Sequence, residues 1–163
     1  EGYGPSGIAF IIEVATDNLN RAAADLRSIF FKNNGSVATP GSVAYQFDRK
    51  GEVILAASAS EEDAIMEAAI IAGADDVQSD EFEHVVYTQP TLLAPVAEQL
   101  RARGFVITSE KFTSIPRTPV VIEDLATAKQ VLKLHDQLDA YDDTLNVFTN
   151  FELSDTVIDQ LDS

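Results

Sequence analysis

Ile8-Ala9-Phe10-Ile11-Ile12-Glu13-Val14 is almost wholly apolar and rich in β-branched residues. A short run of this kind reads as a strand covered on both faces. The residues after it supply its first partner. Thr16-Asp17-Asn18 carries side chains that accept from the free amides of a helix start. Leu19, Ala22, Ala23, Leu26, Ile29 and Phe30 then recur at helical spacing, and Gly35 is a natural stop. Residues 42–47 predict a second strand, with Val43, Tyr45 and Phe47 on one face. The first third is therefore β-α-β.

The middle of the chain repeats the pattern with an extra strand pair. Val53-Ile54-Leu55 is a short strand. Ser60-Glu61-Glu62-Asp63 resembles a capping box with Ser60 as the cap. Ile65, Ala68, Ala69 and Ala72 mark a buried helix face that ends at Gly73. Asp76-Val77-Gln78 and His84-Val85-Val86-Tyr87 read as paired strands around an acidic turn. A helix over 91–103 follows, with Pro95 acceptable only in its first turn. Phe105-Val106-Ile107-Thr108 returns as a strand. This β-α-β-β-α-β order is the ferredoxin-like pattern. Residues 120–122, a helix over 125–138 and residues 145–151 give a last β-α-β. Joined to the first, it completes a second such sheet. The expectation is an α+β protein of two ferredoxin-like α/β sandwich domains, one inserted into the other. Residues 1–51 with 118–163 form the discontinuous domain, and 52–117 the insertion. One larger α/β sheet is the alternative.

Composition narrows the function. Asp and Glu total 27 against 11 Lys and Arg, a net charge of −16. A field of that sign repels phosphate backbones and favours basic partners. Residues 1–51 balance five acids with five bases, so only this third approaches nucleic acid cheaply. There are no cysteines, which removes disulfides, thiolate metal sites and cysteine nucleophiles together. No apolar run reaches the roughly 20 residues that span a bilayer. The chain opens on Glu1 without an initiator Met, as a fragment or processed product would.

Five segments resemble the YebC family of gene-expression regulators. They are Glu1-Gly2-Tyr3-Gly4-Pro5-Ser6-Gly7, Thr16-Asp17-Asn18-Leu19-Asn20-Arg21, Gly41-Ser42-Val43-Ala44-Tyr45-Gln46-Phe47 with Lys50-Gly51, Ala72-Gly73-Ala74-Asp75-Asp76-Val77, and Asn146-Val147-Phe148-Thr149-Asn150-Phe151. They stand in family order across the whole chain. The resemblance implies a three-domain protein whose basic N-terminal helical domain is absent here. It implies a non-enzymatic regulator, described for bacterial members as a DNA-binding transcription regulator. It equally implies an alternative, a translation factor on the ribosome or its message. Either way the partner is nucleic acid, DNA or RNA, met by the full-length protein. Ribosomes or basic proteins could dock on the acidic domains. Bacterial members would work in the cytoplasm and eukaryotic ones in the mitochondrial matrix.

The candidate contact residues are Arg21, Arg27, Lys32, Arg49 and Lys50, the five bases of the neutral third. Each has a plainer reading as a solvated charge. Arg21 at a polar helix start could clamp a phosphate or pair locally. Tyr45 and Phe47 could stack on bases or lie in the core. Gly2, Gly4 and Gly7 precede a strand, which suits a turn with positive φ better than a phosphate cradle. Asp75, Asp76, Asp80, Glu81 and Glu83 fit a solvated turn, since their spacing matches no EF-hand. Asp139, Asp142 and Asp143 would form an acidic wall. His84 and His135 fall on core-facing positions. No catalytic triad, metal-ligand spacing or cofactor motif can be assembled, so no cofactor, metal or membrane partner is expected.

Overall fold

The structure is a computed structural model that describes residues 1–163, apart from the side chain of Ala59. In chain order the strands are β1 (Gly2–Tyr3), β2 (Ala9–Val14), β3 (Ser36–Val37), β4 (Phe47–Ala56), β5 (Asp76–Ser79), β6 (Glu83–Thr88), β7 (Ser109–Pro116), β8 (Val120–Ile122), β9 (Thr144–Thr149) and β10 (Phe151–Leu153). The helices are α1 (Leu19–Lys32), α2 (Glu62–Ala72), α3 (Leu93–Ala102), α4 (Leu125–Ala140) and α5 (Asp155–Leu161). The protein is α+β. Its contacts divide it into two units, residues 1–48 with 115–163 and residues 49–114.

In the discontinuous unit the sheet runs β3-β1-β2-β9, with antiparallel neighbours throughout. The pairing of β2 with β9 sets Phe10 opposite Thr149 and Ile12 opposite Val147. It ties the first third of the chain to the last. The apolar run around β2 is buried on both sides, as its composition demands. Ile8 and Phe10 join Phe30 of α1 and Val131, Leu134 and Leu138 of α4 in one core. Ala9 packs with Val43 and Phe47 in another. Phe10 and Phe30 meet edge to face, with centroids 5.9 Å apart. Each of these fully buried rings contributes roughly 1.5–3 kcal/mol over leaving it exposed.

The unit of residues 49–114 has the sheet order β5-β6-β4-β7. β6 pairs antiparallel with both β4 and β5. Its core gathers Val53 and Leu55 of β4, Val86 of β6, Ile65, Ala68 and Ala69 of α2, and Leu93, Val96, Ala97 and Leu100 of α3. Gly51 lies inside β4, where the helix side comes closest. A Cβ there would fall on Thr88 Oγ1 and 2.7 Å from Leu93 Cβ. Pro95 takes the first turn of α3, where its missing N–H has no intrahelical partner to lose.

Several local expectations are corrected. Residues 42–46 are a turn and a short 3₁₀ segment, and the strand starts only at Phe47. The cause is Glu1, whose carboxylate accepts from Gly41 N (2.5 Å), Ala44 N (2.6 Å) and Val43 N (3.2 Å). Those amides are therefore unavailable to a ladder. Val43 and Phe47 are buried but Tyr45 is 67% exposed, so the three do not share a face. The edge that residues 42–47 were expected to fill is taken by the two-residue β1 and β3. β8 also leaves the expected sheet and pairs in parallel with β10. Ser60 does not cap α2: Glu61 is the N-cap residue, without a side-chain bond. Residues 105–108 lie outside any strand, and β7 begins at Ser109. Thr108 spends its backbone N–H and its hydroxyl on Ile54 O. Leu19 stands in the first turn of α1 and is 72% exposed.

Candidate nucleic-acid interface

Three of the five predicted bases lie on α1. Asn18 caps this helix by accepting from Arg21 N at 3.0 Å. Arg21 and Lys32 are eleven positions apart, so they fall at nearly the same azimuth, about 16 Å apart along the axis. Arg27 points roughly 120° away from both. Arg21 is engaged by acids: Nη2 lies 3.1 Å from Asp143 Oδ2 and 3.6 Å from Asp17 Oδ1. The Asp143 hydrogen bond, seconded by Tyr141, holds this guanidinium above its ordinary pKa. Tyr141 in turn donates to Asp25 Oδ2 at 2.7 Å, which raises the phenol pKa. The polar helix start is thus a network between α1 and the end of α4.

Arg27 and Lys32 are exposed, with no ion pair among the described residues. Arg27 borders an open cleft of about 210 Å³ with Phe31, Gly35, Ser36 and Val37. Phe31 is 82% exposed there. Arg49 and Lys50 belong to the other unit. Lys50 Nζ sits 2.7 Å from Asp75 Oδ2 and is the main reason that carboxyl titrates low. Arg49 lies over the Phe112 ring, 5.4 Å from its centroid. The structure therefore brings Arg21 to acids, Arg49 to an aromatic ring and Lys50 to an acid. It leaves Arg27 and Lys32 facing solvent.

The other singled-out residues take structural places. Only Gly7 of the N-terminal glycines has positive φ, at 72°. Gly2 and Gly4 are required for space. A Cβ at Gly2 would come 2.6 Å from Phe30 Cζ, and one at Gly4 would come 2.6 Å from Phe10 Cε2. Asp80 accepts from Phe82 N (2.7 Å) and Glu83 N (2.8 Å), which fixes the acidic turn and lowers its pKa. His84 is 3% exposed; its Nδ1 lies 2.7 Å from Ser79 Oγ and its Nε2 2.9 Å from Ser60 O. His135 is half-buried beside Asp136. Among the described residues no group of three metal-capable side chains converges. No helix there is long and apolar enough to cross a membrane.

One arrangement was not anticipated. Arg117, read in sequence as part of a boundary, donates its backbone N–H to Gln46 O at 2.9 Å. Its Nε donates to Asp48 Oδ1, also at 2.9 Å. With Tyr45, Gln46 and Thr118 it lines an open cavity of about 310 Å³. The flanking Pro116 and Pro119 were the available signal, since prolines stiffen the segment that presents Arg117.

Comparison with known proteins gives a consistent result. A family model described as "TACO1/YebC second and third domain" matches residues 1–151. A "Probable transcriptional regulatory protein" of Akkermansia muciniphila is 51% identical over 163 residues. That alignment covers 99% of this chain and 65% of the relative. A protein of the same description from Acinetobacter baumannii strain AYE is 44% identical, covering 100% of this chain and 65% of the relative. The crystal structure of a conserved hypothetical protein, Aq1575, from Aquifex aeolicus superposes with a TM-score of 0.89. It is 39% identical, and the match covers 95% of this chain and 64% of that one. The chain thus spans about 65% of the length of the curated relatives it matches.

Proposed function

This chain belongs to the TACO1/YebC family, as the second and third domains of such a protein, and from that premise we propose that it serves a non-enzymatic regulator of transcription. The observation that carries the reading is the match to relatives described as transcriptional regulatory proteins across the whole chain. The main contact to DNA is assigned to residues outside this chain. Charge supports that assignment, because a net −16 repels a duplex and several of the bases that could offset it are already paired with acids of the chain. Of the five candidate bases, Arg27 and Lys32 are the ones available for an auxiliary phosphate contact, with Arg21, Arg49 and Lys50 contributing only if their partners release them.

We read the unit of residues 49–114 as a ferredoxin-like domain inserted into a second α/β unit. Its β-α-β-β-α-β order and its sheet order β5-β6-β4-β7 support this. In a bacterial setting like that of its relatives, the protein would work in the cytoplasm. The surplus of acids favours a second reading, a translation factor whose acidic faces dock basic ribosomal proteins.

The test uses a protein of the relatives' full length. Retarded migration of promoter-bearing duplex DNA, lost at high salt, supports the first reading. Salt-sensitive co-sedimentation with ribosomes and no effect on DNA supports the second. Binding to neither would overturn both.

A further inference from the structure

We propose that the cavity formed by Tyr45, Gln46, Arg117 and Thr118 binds a single unpaired nucleotide, its base on the Tyr45 ring and its phosphate on the Arg117 guanidinium. The inference deepens the reading above, that this family's proteins meet nucleic acid, and rests on it.

The ring of Tyr45 is presented, not frayed. Its neighbours Val43 and Phe47 are buried on either side. The carboxylate of Glu1 clamps the turn through Gly41, Val43 and Ala44. A large aromatic side chain is thereby held 67% exposed on a fixed backbone. A preset aromatic face is what base stacking needs, and stacking does not depend on net charge. The acidic balance of the chain therefore weakens this site less than it weakens duplex binding.

Arg117 supplies the charged end. Its backbone is fastened to Gln46 O and its Nε to Asp48, so the side chain has a defined direction. The Asp48 bond uses Nε alone and leaves the other guanidinium N–H groups for an anion. The Arg117 side chain is 61% exposed, open to an incoming phosphate. The lining Gln46 is held at both ends of its amide: its Nε2 donates to the Tyr3 hydroxyl at 3.2 Å and its Oε1 accepts from Asn150 at 3.4 Å. Thr118 completes the lining. About 310 Å³ is at the lower end of ordinary ligand cavities, enough for one base and its sugar. A base inside a duplex cannot turn its face to Tyr45, so the site selects unpaired strands.

The experiment titrates the 163-residue chain against labelled single strands of uridine or deoxythymidine, about ten nucleotides long, and against a duplex of equal length. Binding is read by fluorescence anisotropy. Both single strands should bind better than the duplex, and Tyr45→Ala should weaken them roughly tenfold or more. Tyr45→Phe should keep most of the affinity, and Arg117→Ala should lose it while the thermal unfolding midpoint stays in place. A preference for the RNA strand would add a contact to the ribose hydroxyl. The site is refuted if Tyr45→Ala binds like the original chain, if duplex binds as well as single strand, or if no single strand binds. A full-length protein that still shifts DNA after Tyr45→Ala, when that change leaves the short strands unaffected, would remove this site and keep the regulator reading. Loss of the regulator reading with the short strands still bound would do the reverse.

Discussion

Residue 1 shows how one side chain can reset an expectation. The alternation Val43, Tyr45, Phe47 has strand periodicity, but the Glu1 carboxylate takes the amides of Gly41, Val43 and Ala44 and curls the segment. That partnership joins positions about forty residues apart, so no local pattern could reveal it. Burial pushes the Glu1 carboxyl up, yet the three N–H donors outweigh it and leave it below the usual carboxylate range. A carboxyl with a depressed folded-state pKa stabilises fully above its unfolded value of about 4.3 and loses that contribution as pH falls through the folded value. Glu1→Gln should therefore lower the urea midpoint at neutral pH, and the gap to the original chain should close well below pH 4. An unchanged gap across that range would show that the charge is not what holds the turn. Gly51 makes the second case. In sequence it reads as a domain boundary, and in the structure it is a position inside β4 that Thr88 and Leu93 crowd. Gly51→Ala should cost about 1–3 kcal/mol in denaturant unfolding through overpacking. The sequence marks a glycine but not which atoms crowd it.

At the scale of elements, legibility followed the length of the periodic signal. The five-residue or longer apolar runs and the amphipathic helices were readable, because burial on a repeating face leaves a repeating trace. Thus β2, α1 and α4 correspond to strong patterns. The two-residue strands β1 and β3 leave no trace in a window of that size, and their place was assigned to residues 42–47. The stretch 105–108 shows the opposite failure. Phe105 and Ile107 pack on the core and give a convincing alternation, while the ladder starts only at Ser109. Alternating burial is necessary for a half-buried strand and does not guarantee pairing. Helix starts were legible where a side chain does the capping. Asn18 accepts from Arg21 N and satisfies a donor that the helix itself cannot. Asn18→Ala should cost about 1 kcal/mol in urea unfolding, within a range of roughly 0.5–2. A cost near zero would mean that the Arg21 network alone fixes the start of α1. Ser60 shows the limit of the same signal, since the motif is present and the helix begins without it.

For the whole molecule, the order of elements and the charge balance say different things. The pairing of β2 with β9 unites the ends of the chain, and residues 49–114 form their own unit between them. Each third carries its own apolar pattern, which is what the reading of the order of elements rests on. The candidate site was less readable. Five bases clustered in a neutral third, yet three of them are occupied, by Asp143, Phe112 and Asp75. Their partners come from distant segments or from loops without periodicity. The place of Arg117 is hidden in sequence for the same reason: its meaning depends on Tyr45 and Asp48, about seventy residues earlier. The net charge remains the plainest whole-molecule fact. It sets this chain apart from the duplex-binding role we propose for residues outside it. The most direct measurement is equilibrium binding of the isolated 163-residue chain to duplex DNA at physiological salt. Binding should be weaker than the roughly 10⁻⁴ M end of ordinary nonspecific affinity. A micromolar or tighter complex, weakening steeply as salt rises, would contradict the account.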